Sequence, residues 1–158
     1  MRLTEEERRE LMSLLEDYLS HEKVREMANY IQHGRITTYE HCLDVAETSF
    51  FLERRLHLDL DEQALVVGAM LHDFYLYDWH IDEKWHRRHA TQHAVFACHN
   101  AEKYFDIDEK TKAVIRCHMW PVTLFHMPPG REAWLVSLVD KYCSARETLF
   151  CRGWGKKE

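Results

Sequence analysis

Residues that break regular structure are scarce in this chain: its 158 residues include 5 Gly and 3 Pro. Between them, apolar side chains recur at the three- and four-residue spacing of a helix. No run alternates apolar and polar residues beside a tight hairpin turn, so strand signals are weak. The sequence therefore predicts an all-α fold, a compact multi-helix bundle without internal repeats.

The expected helices follow from caps and apolar stripes. Thr4 with Glu7 is typical of a capping box that opens a first helix. Apolar residues from Val24 to Ile31 indicate a second helical segment that Gly34 ends. Further helices are expected at about 38–56, from Asp59 or Asp61 to His72, at 89–104, from Asp106 or Asp108 to near His118, and at 131–150. The aromatic and charged segment 73–88 is interpreted as an irregular active-site loop.

The length fits one ordinary domain. We expect residues 1–35 to form a helical segment packed on a domain over 36–152, with 153–158 as a flexible tail. The apolar stripe of the first helices would equally suit a dimer contact, so a homodimer stays open.

The charge and cysteine content exclude some classes of protein. A formal net charge of -6 argues against a nucleic-acid polymer or an anionic membrane as partner. A small phosphorylated substrate remains compatible, because a local metal can outweigh the overall charge. The five Cys form no CxxC pair and predict reduced, mostly buried thiols. No apolar leader or membrane-spanning run occurs, so we expect a cytoplasmic protein.

One dipeptide carries the strongest chemical signal. His72-Asp73 follows the apolar run 64–71 at the end of a predicted helix. A carboxylate in such surroundings is costly unless it is satisfied. A divalent cation would hold the carboxylate ionised and the imidazole neutral.

Four more His and Asp residues lie on the apolar sides of other predicted helices: His41, His93, His118 and Asp140. A lone His on such a face is more often a core residue hydrogen-bonded to the backbone, and Asp140 alone could pair with an Arg or cap a neighbouring helix. Six such residues from five predicted helices instead indicate a metal centre, since helix bundles build metal sites from inward side chains on facing helices. The 12 His of the chain fit this interpretation.

The order His41, His72-Asp73, Asp140 resembles the HD superfamily of metal-dependent phosphohydrolases over about residues 36–150. The segments His41-Cys-Leu-Asp-Val-Ala, Ala69-Met-Leu-His-Asp and Leu138-Val-Asp-Lys are similar to its three motifs. The resemblance implies that these four side chains bind a first metal. His93 and His118 match the additional histidines of branches with two metals, in which Asp73 would bridge the ions.

What the resemblance implies is hydrolysis of a phosphate ester, of a nucleotide or another small phosphorylated metabolite, by a metal-activated water. Asp73, His93, His118 and Lys141 are the expected catalytic residues. His93 or His118 would serve as general acid where it is not a ligand. Several HD branches have a Lys shortly after the signature, whereas here no Lys follows His72-Asp73 until Lys84. The resemblance therefore leaves the substrate open.

Other residues are candidates for substrate binding. His33 is a candidate to reach the pocket, although a residue in such a position is more often a charge at a helix C-terminus. The candidates for phosphate oxygens are Lys141, Arg116, Arg88 and Arg35. The candidates for stacking on a nucleobase are Tyr75, Tyr77, Trp79, Trp85 and Trp120.

Two further functions remain as alternatives: a non-catalytic module that binds metal and nucleotide, and a di-iron oxygenase of HD fold. Imidazole and carboxylate ligands accept Fe, Mn, Zn, Co, Ni or Mg, in one or two ions. The abundance of histidine favours a transition metal.

Overall fold

A computed structural model describes residues 2–78 and 89–152, with side chains described for all of these except 89–91 and 150–152. Within these residues the chain forms helices and one small hairpin, which confirms the predicted all-α bundle. The helices are α1 (Glu5–Ser20), α2 (Glu22–Glu26), α3 (Thr38–Leu56), α4 (Glu62–Leu71), α5 (His89–Tyr104), α6 (Glu109–Cys117) and α7 (Arg131–Arg152), and one turn of 3-10 helix spans Met27–Asn29. The strands are β1 (Ile31–His33) and β2 (Ile36–Thr37).

Side-chain caps fix where the helices begin. The capping box predicted at Thr4 is confirmed: Glu7 N donates to Thr4 Oγ1 at 3.2 Å, and Thr4 N donates to Glu7 Oε2 at 2.7 Å. A second capping box, Thr37 with Glu40, opens α3. These caps satisfy backbone N–H groups that a helix start leaves free.

The predicted helix through Ile31 is wrong. The helical segment ends at Asn29, and Ile31 pairs with Thr37 across an antiparallel hairpin. The reversal occurs at Gly34, whose φ of 62° lies in the left-handed region that glycine adopts without strain. The hairpin also closes through Thr38 N, which donates to Tyr30 O at 2.8 Å.

Helix α4 is the centre of the core. Every residue from Ala64 to Leu71 is buried, and the helix packs against α1, α3, α6 and α7. Gly68 allows the close approach of α6, because a Cβ at this position would lie 2.6 Å from Val114 Cβ. The C-terminal ends of α4 and α6 thus come together inside the bundle.

Four cysteines, Cys42, Cys98, Cys117 and Cys143, are free thiols and buried. None of the helices in the two described stretches is long and apolar enough to cross a membrane. Part of the expected active-site loop, with Trp79, Lys84, Trp85 and Arg88, lies outside the described residues, as does the tail 153–158.

Candidate metal centre

Two histidines lie at the C-terminal ends of buried helices. His72 follows α4, and its Nδ1 bonds Ala69 O at 2.7 Å. His118 follows α6, and its Nδ1 bonds Ile115 O at 2.7 Å. A carbonyl oxygen only accepts, so Nδ1 carries the hydrogen in each ring. Each Nε2 atom faces the centre of the bundle and is therefore available to bind a metal ion.

The Nδ1 partner of His41, on α3, is a side-chain carboxylate and not a backbone carbonyl. Its Nδ1 donates to Glu147, with both carboxylate oxygens at 3.0 Å, while its Nε2 lies 3.2 Å from Asp140 Oδ1. Such a partner orients a ligand histidine and strengthens it as a metal ligand. Sequence reasoning missed Glu147, although its seven-residue spacing from Asp140 places it on the same face of α7.

Asp73 lies between the remaining side chains. Its Oδ1 is 3.2 Å from His93 Nε2 and 3.5 Å from His118 Nε2. Its Oδ2 is 3.5 Å from His72 Nε2 and accepts a hydrogen bond from Gln32 Nε2 at 2.6 Å. One carboxylate thus faces two groups of histidines with different oxygens.

The structure brings together all six side chains that the sequence singled out, from α3, α5, α7 and the ends of α4 and α6. Their potential ligand atoms form three overlapping groups, each within 4.8 Å. The groups are His41 with His72 and Asp73, His72 with His118 and Asp140, and Asp73 with His93 and His118.

The donor set fits a divalent cation. Among the described residues, His72 Nε2 and Asp73 Oδ1 are buried atoms without a hydrogen-bond partner. Leaving such atoms unsatisfied is unfavourable, and a bound cation would satisfy each of them. His93 Nε2 and His118 Nε2 also lie 2.9 Å apart, close enough for both nitrogens to bind the same ion.

The protonation state of the metal-free cluster also favours the binding of a cation. Burial lowers the pKa of His41, but Asp140 and Glu147 outweigh it and raise that pKa to about 10. Burial raises the pKa of Asp140, but the hydrogen bond from His41 and the neighbouring charge of His72 hold it well below its usual range. Burial and the neighbouring His72 lower the pKa of His118 to about 3. The Asp140 carboxylate is therefore ionised, and the proton held by His41 can be exchanged for a cation.

A pocket of about 330 Å³ opens onto the centre. Asp73, His93, His118 and Asp140 line its floor, and its other described walls are Gln32, His33, Met119, Val122, Lys141 and Ser144. His33, a half-buried residue of β1, lies with its ring centroid 5.8 Å from that of His41. Of the two roles considered for His33, the structure places it in the pocket.

Lys141 lies beside the centre with its ammonium engaged. Nζ donates to His118 O at 2.7 Å, to Ser137 O at 3.0 Å and to Ser137 Oγ at 3.2 Å. An ammonium has three hydrogens, so these acceptors use its full donor capacity. Burial also lowers the pKa of Lys141. This placement suits a role in holding α7 to the end of α6.

The other candidates for substrate contact are spread over the molecule. Arg35 and Arg116 are exposed and lie outside the described lining of the pocket. Trp120 packs on Trp134, with ring centroids 4.6 Å apart. Tyr77 packs on the buried Tyr75 at 4.9 Å. Trp79, Trp85 and Arg88 lie outside the described residues.

Comparison with known proteins assigns the family. The HD domain matches residues 38–145, a range that holds all six side chains of the centre. The chain belongs to the HD domain family. No curated protein and no solved structure matches it significantly. Gln32 and Glu147, which contact the centre, both lie outside the matched range.

Proposed function

We propose that this chain is a metal-dependent phosphohydrolase that hydrolyses a small phosphate ester. The ligands of a first divalent ion would be His41, His72, Asp73 and Asp140. A second ion would be held by Asp73, His93 and His118. The histidine-rich donor set favours a transition metal at these positions.

The observation that carries this proposal is the division of Asp73 between two groups of ligands. Oδ1 faces His93 and His118, and Oδ2 faces His72. A carboxylate in this position could contribute one oxygen to each of two cations, and two-metal sites occur in many hydrolytic enzymes. The membership in the HD domain family agrees with such chemistry.

A bound divalent metal would supply Lewis-acid polarisation of the phosphoryl oxygen and a water that is acidic near neutral pH. The chain supplies orientation. The Nδ1 donations of His41, His72 and His118 keep each Nε2 directed at the centre. Ser144 Oγ donates to Asp140 Oδ1 at 3.3 Å and steadies that carboxylate.

The pocket favours a small substrate. Its volume of about 330 Å³ lies at the lower end of the usual range for ligand sites, roughly 300–1,000 Å³. Met119 and Val122 form an apolar wall beside the polar floor. A phosphate ester with a compact organic group would place its phosphate on the floor and that group against this wall.

Turnover by reconstituted protein tests the proposal. The protein would be loaded with Mn, Zn, Fe, Co or Ni and assayed with bis-p-nitrophenyl phosphate, p-nitrophenyl phosphate and a panel of nucleotides. We expect hydrolysis that His93→Ala lowers by at least about 100-fold, since loss of a metal ligand removes several kcal/mol of transition-state stabilisation. His99→Ala, an exposed histidine on the same helix, is the matched control and should retain activity.

Two outcomes would contradict the proposed phosphohydrolase activity. Bound metal without turnover of any ester would indicate a metal- and nucleotide-binding module. Oxygen uptake by the iron-loaded protein, with no ester hydrolysis, would indicate an oxygenase.

A further inference from the structure

The hairpin before α3 contributes two neighbouring residues to the pocket. Successive residues of a strand normally point to opposite faces. Here the pairing is irregular between Ile31 and His33, and both Gln32 and His33 line the pocket. An irregularity of this kind redirects a side chain and is typical of strands near functional sites.

Gln32 lies in a buried chain of hydrogen bonds that ends at the metal centre. Its Nε2 donates to Asp73 Oδ2 at 2.6 Å, and its Oε1 accepts from Tyr75 OH at 2.5 Å. Thr38 Oγ1 lies 3.2 Å from Tyr75 OH and 3.4 Å from Gln32 Oε1. The exposed fractions of Gln32, Thr38 and Tyr75 are 8%, 1% and 3%.

The chemistry of the amide makes this chain directional. An amide has a donor end and an acceptor end, and a carboxylate oxygen can only accept. The Tyr75 hydroxyl donates to the amide oxygen, so the amide nitrogen is turned towards Asp73. A donor on Oδ2 restricts rotation of the carboxylate and leaves Oδ1 directed at His93 and His118.

The hairpin itself does not need this side chain. Its strands pair through Ile31 with Thr37 and His33 with Ile36, and Thr38 N closes it on Tyr30 O. An apolar residue at position 32 would fill the same space without a buried amide to satisfy. The amide therefore serves the centre.

We propose that Gln32 is a positioning residue of the metal centre. It holds the Asp73 carboxylate in the orientation that serves both ligand groups, and Tyr75 acts through it by fixing the amide. The inference rests on the proposed metal centre. It adds to that centre a residue outside the range matched by the HD domain, 38–145.

The affinity for metal tests this role. Gln32→Met keeps a side chain of similar size and removes the donor, and Gln63→Met, at an exposed position of α4, is the matched control. The Kd for Mn and for Zn would be measured by chelator competition at a temperature where circular dichroism shows each variant folded. We expect Gln32→Met to weaken binding by about 10–100-fold, the usual effect of losing a group that orients a ligand. Gln63→Met should bind as the wild type does.

Tyr75→Phe separates positioning from packing. It keeps the ring and removes the hydroxyl, so we expect a smaller loss of affinity. The double variant should bind no more weakly than Gln32→Met alone, because the hydroxyl acts through the amide. If the two losses of metal affinity multiply in the double variant, the role of Tyr75 is overturned.

An unchanged Kd in Gln32→Met, with metal bound by the wild type, would overturn the role of Gln32 and leave the proposed metal centre intact. Absence of metal in the wild type would overturn both proposals. If Gln32→Met does not fold, the Kd of Tyr75→Phe decides, and an unchanged value would overturn the positioning chain.

Discussion

At the scale of single residues, three histidines of the centre form Nδ1 hydrogen bonds to different kinds of partner. His72 and His118 donate to backbone carbonyls of their own helices, whereas His41 donates to the side chain of Glu147. A backbone carbonyl cannot be removed by substitution, but a carboxylate can. Glu147 is therefore the residue through which the orientation of a ligand histidine can be tested.

We expect Glu147→Ala to weaken metal binding by about 10–100-fold, because His41 loses the partner that fixes its ring. Glu147→Gln keeps an acceptor oxygen and should lose less. Chelator competition with Zn or Mn measures both values. Glu16→Ala, which removes an exposed carboxylate on α1, should leave the Kd unchanged. Equal Kd values for Glu147→Ala and the wild type would show that Glu147 does not act on the centre.

The protonation of His41 predicts a pH dependence. Its pKa in the metal-free protein is raised to about 10 by Asp140 and Glu147 against the effect of burial. At pH 6–8 this ring carries a proton that a metal must displace. Affinity should therefore rise with pH, by about tenfold per pH unit for each proton released. A Kd that stays constant between pH 6 and pH 8 would contradict this protonation.

At the scale of elements, the sequence predicted most helices and the six side chains of the centre for the same reason. A His or Asp on an otherwise apolar helix face stands out against a period of 3.6 residues, as His41 does on α3 and Asp140 on α7. Gln32 could not be found in this way, because Val24 to Ile31 also fits a helical period. The left-handed turn at Gly34 and the pairing of Ile31 with Thr37 made the segment a hairpin instead.

The packing of α4 on α6 gives a prediction for Gly68. A Cβ there would lie 2.6 Å from Val114 Cβ and Cγ1, and a β-branched side chain in a helix has little freedom to move. We expect Gly68→Ala to lower the free energy of unfolding by about 1–2 kcal/mol, although alanine alone favours a helix by roughly 1 kcal/mol. Urea denaturation of the metal-free protein measures this difference.

Gly130→Ala is the control for Gly68→Ala. The nearest atom to its Cβ would be Glu132 Oε2 at 3.3 Å, the end of a flexible side chain. Its stability should stay close to that of the wild type. If Gly68→Ala is as stable as Gly130→Ala, the contact with Val114 does not limit the packing of these helices.

At the scale of the whole molecule, the centre joins elements that are far apart in sequence. Its side chains come from α3, α5 and α7 and from the ends of α4 and α6. A cation bound to the native state therefore stabilises the entire bundle. A free cation concentration of 100 times the Kd would add about 2.7 kcal/mol to the free energy of unfolding.

We expect the thermal midpoint to rise with added Mn or Zn and to fall with a chelator. For a chain of this length, a gain of about 2.7 kcal/mol corresponds to roughly 5–10 °C. Differential scanning calorimetry measures the shift. Asp73→Ala should show no shift, and a shift of the same size in that variant would place the bound metal elsewhere.

The most direct measurement is the metal content of tag-free protein, by elemental mass spectrometry, in the wild type, Asp73→Ala and His118→Ala. We expect bound transition metal in the wild type, none in Asp73→Ala, and one ion kept and one lost in His118→Ala. No metal in the wild type, before or after reconstitution, would contradict a metal centre and leave the six side chains as buried core residues.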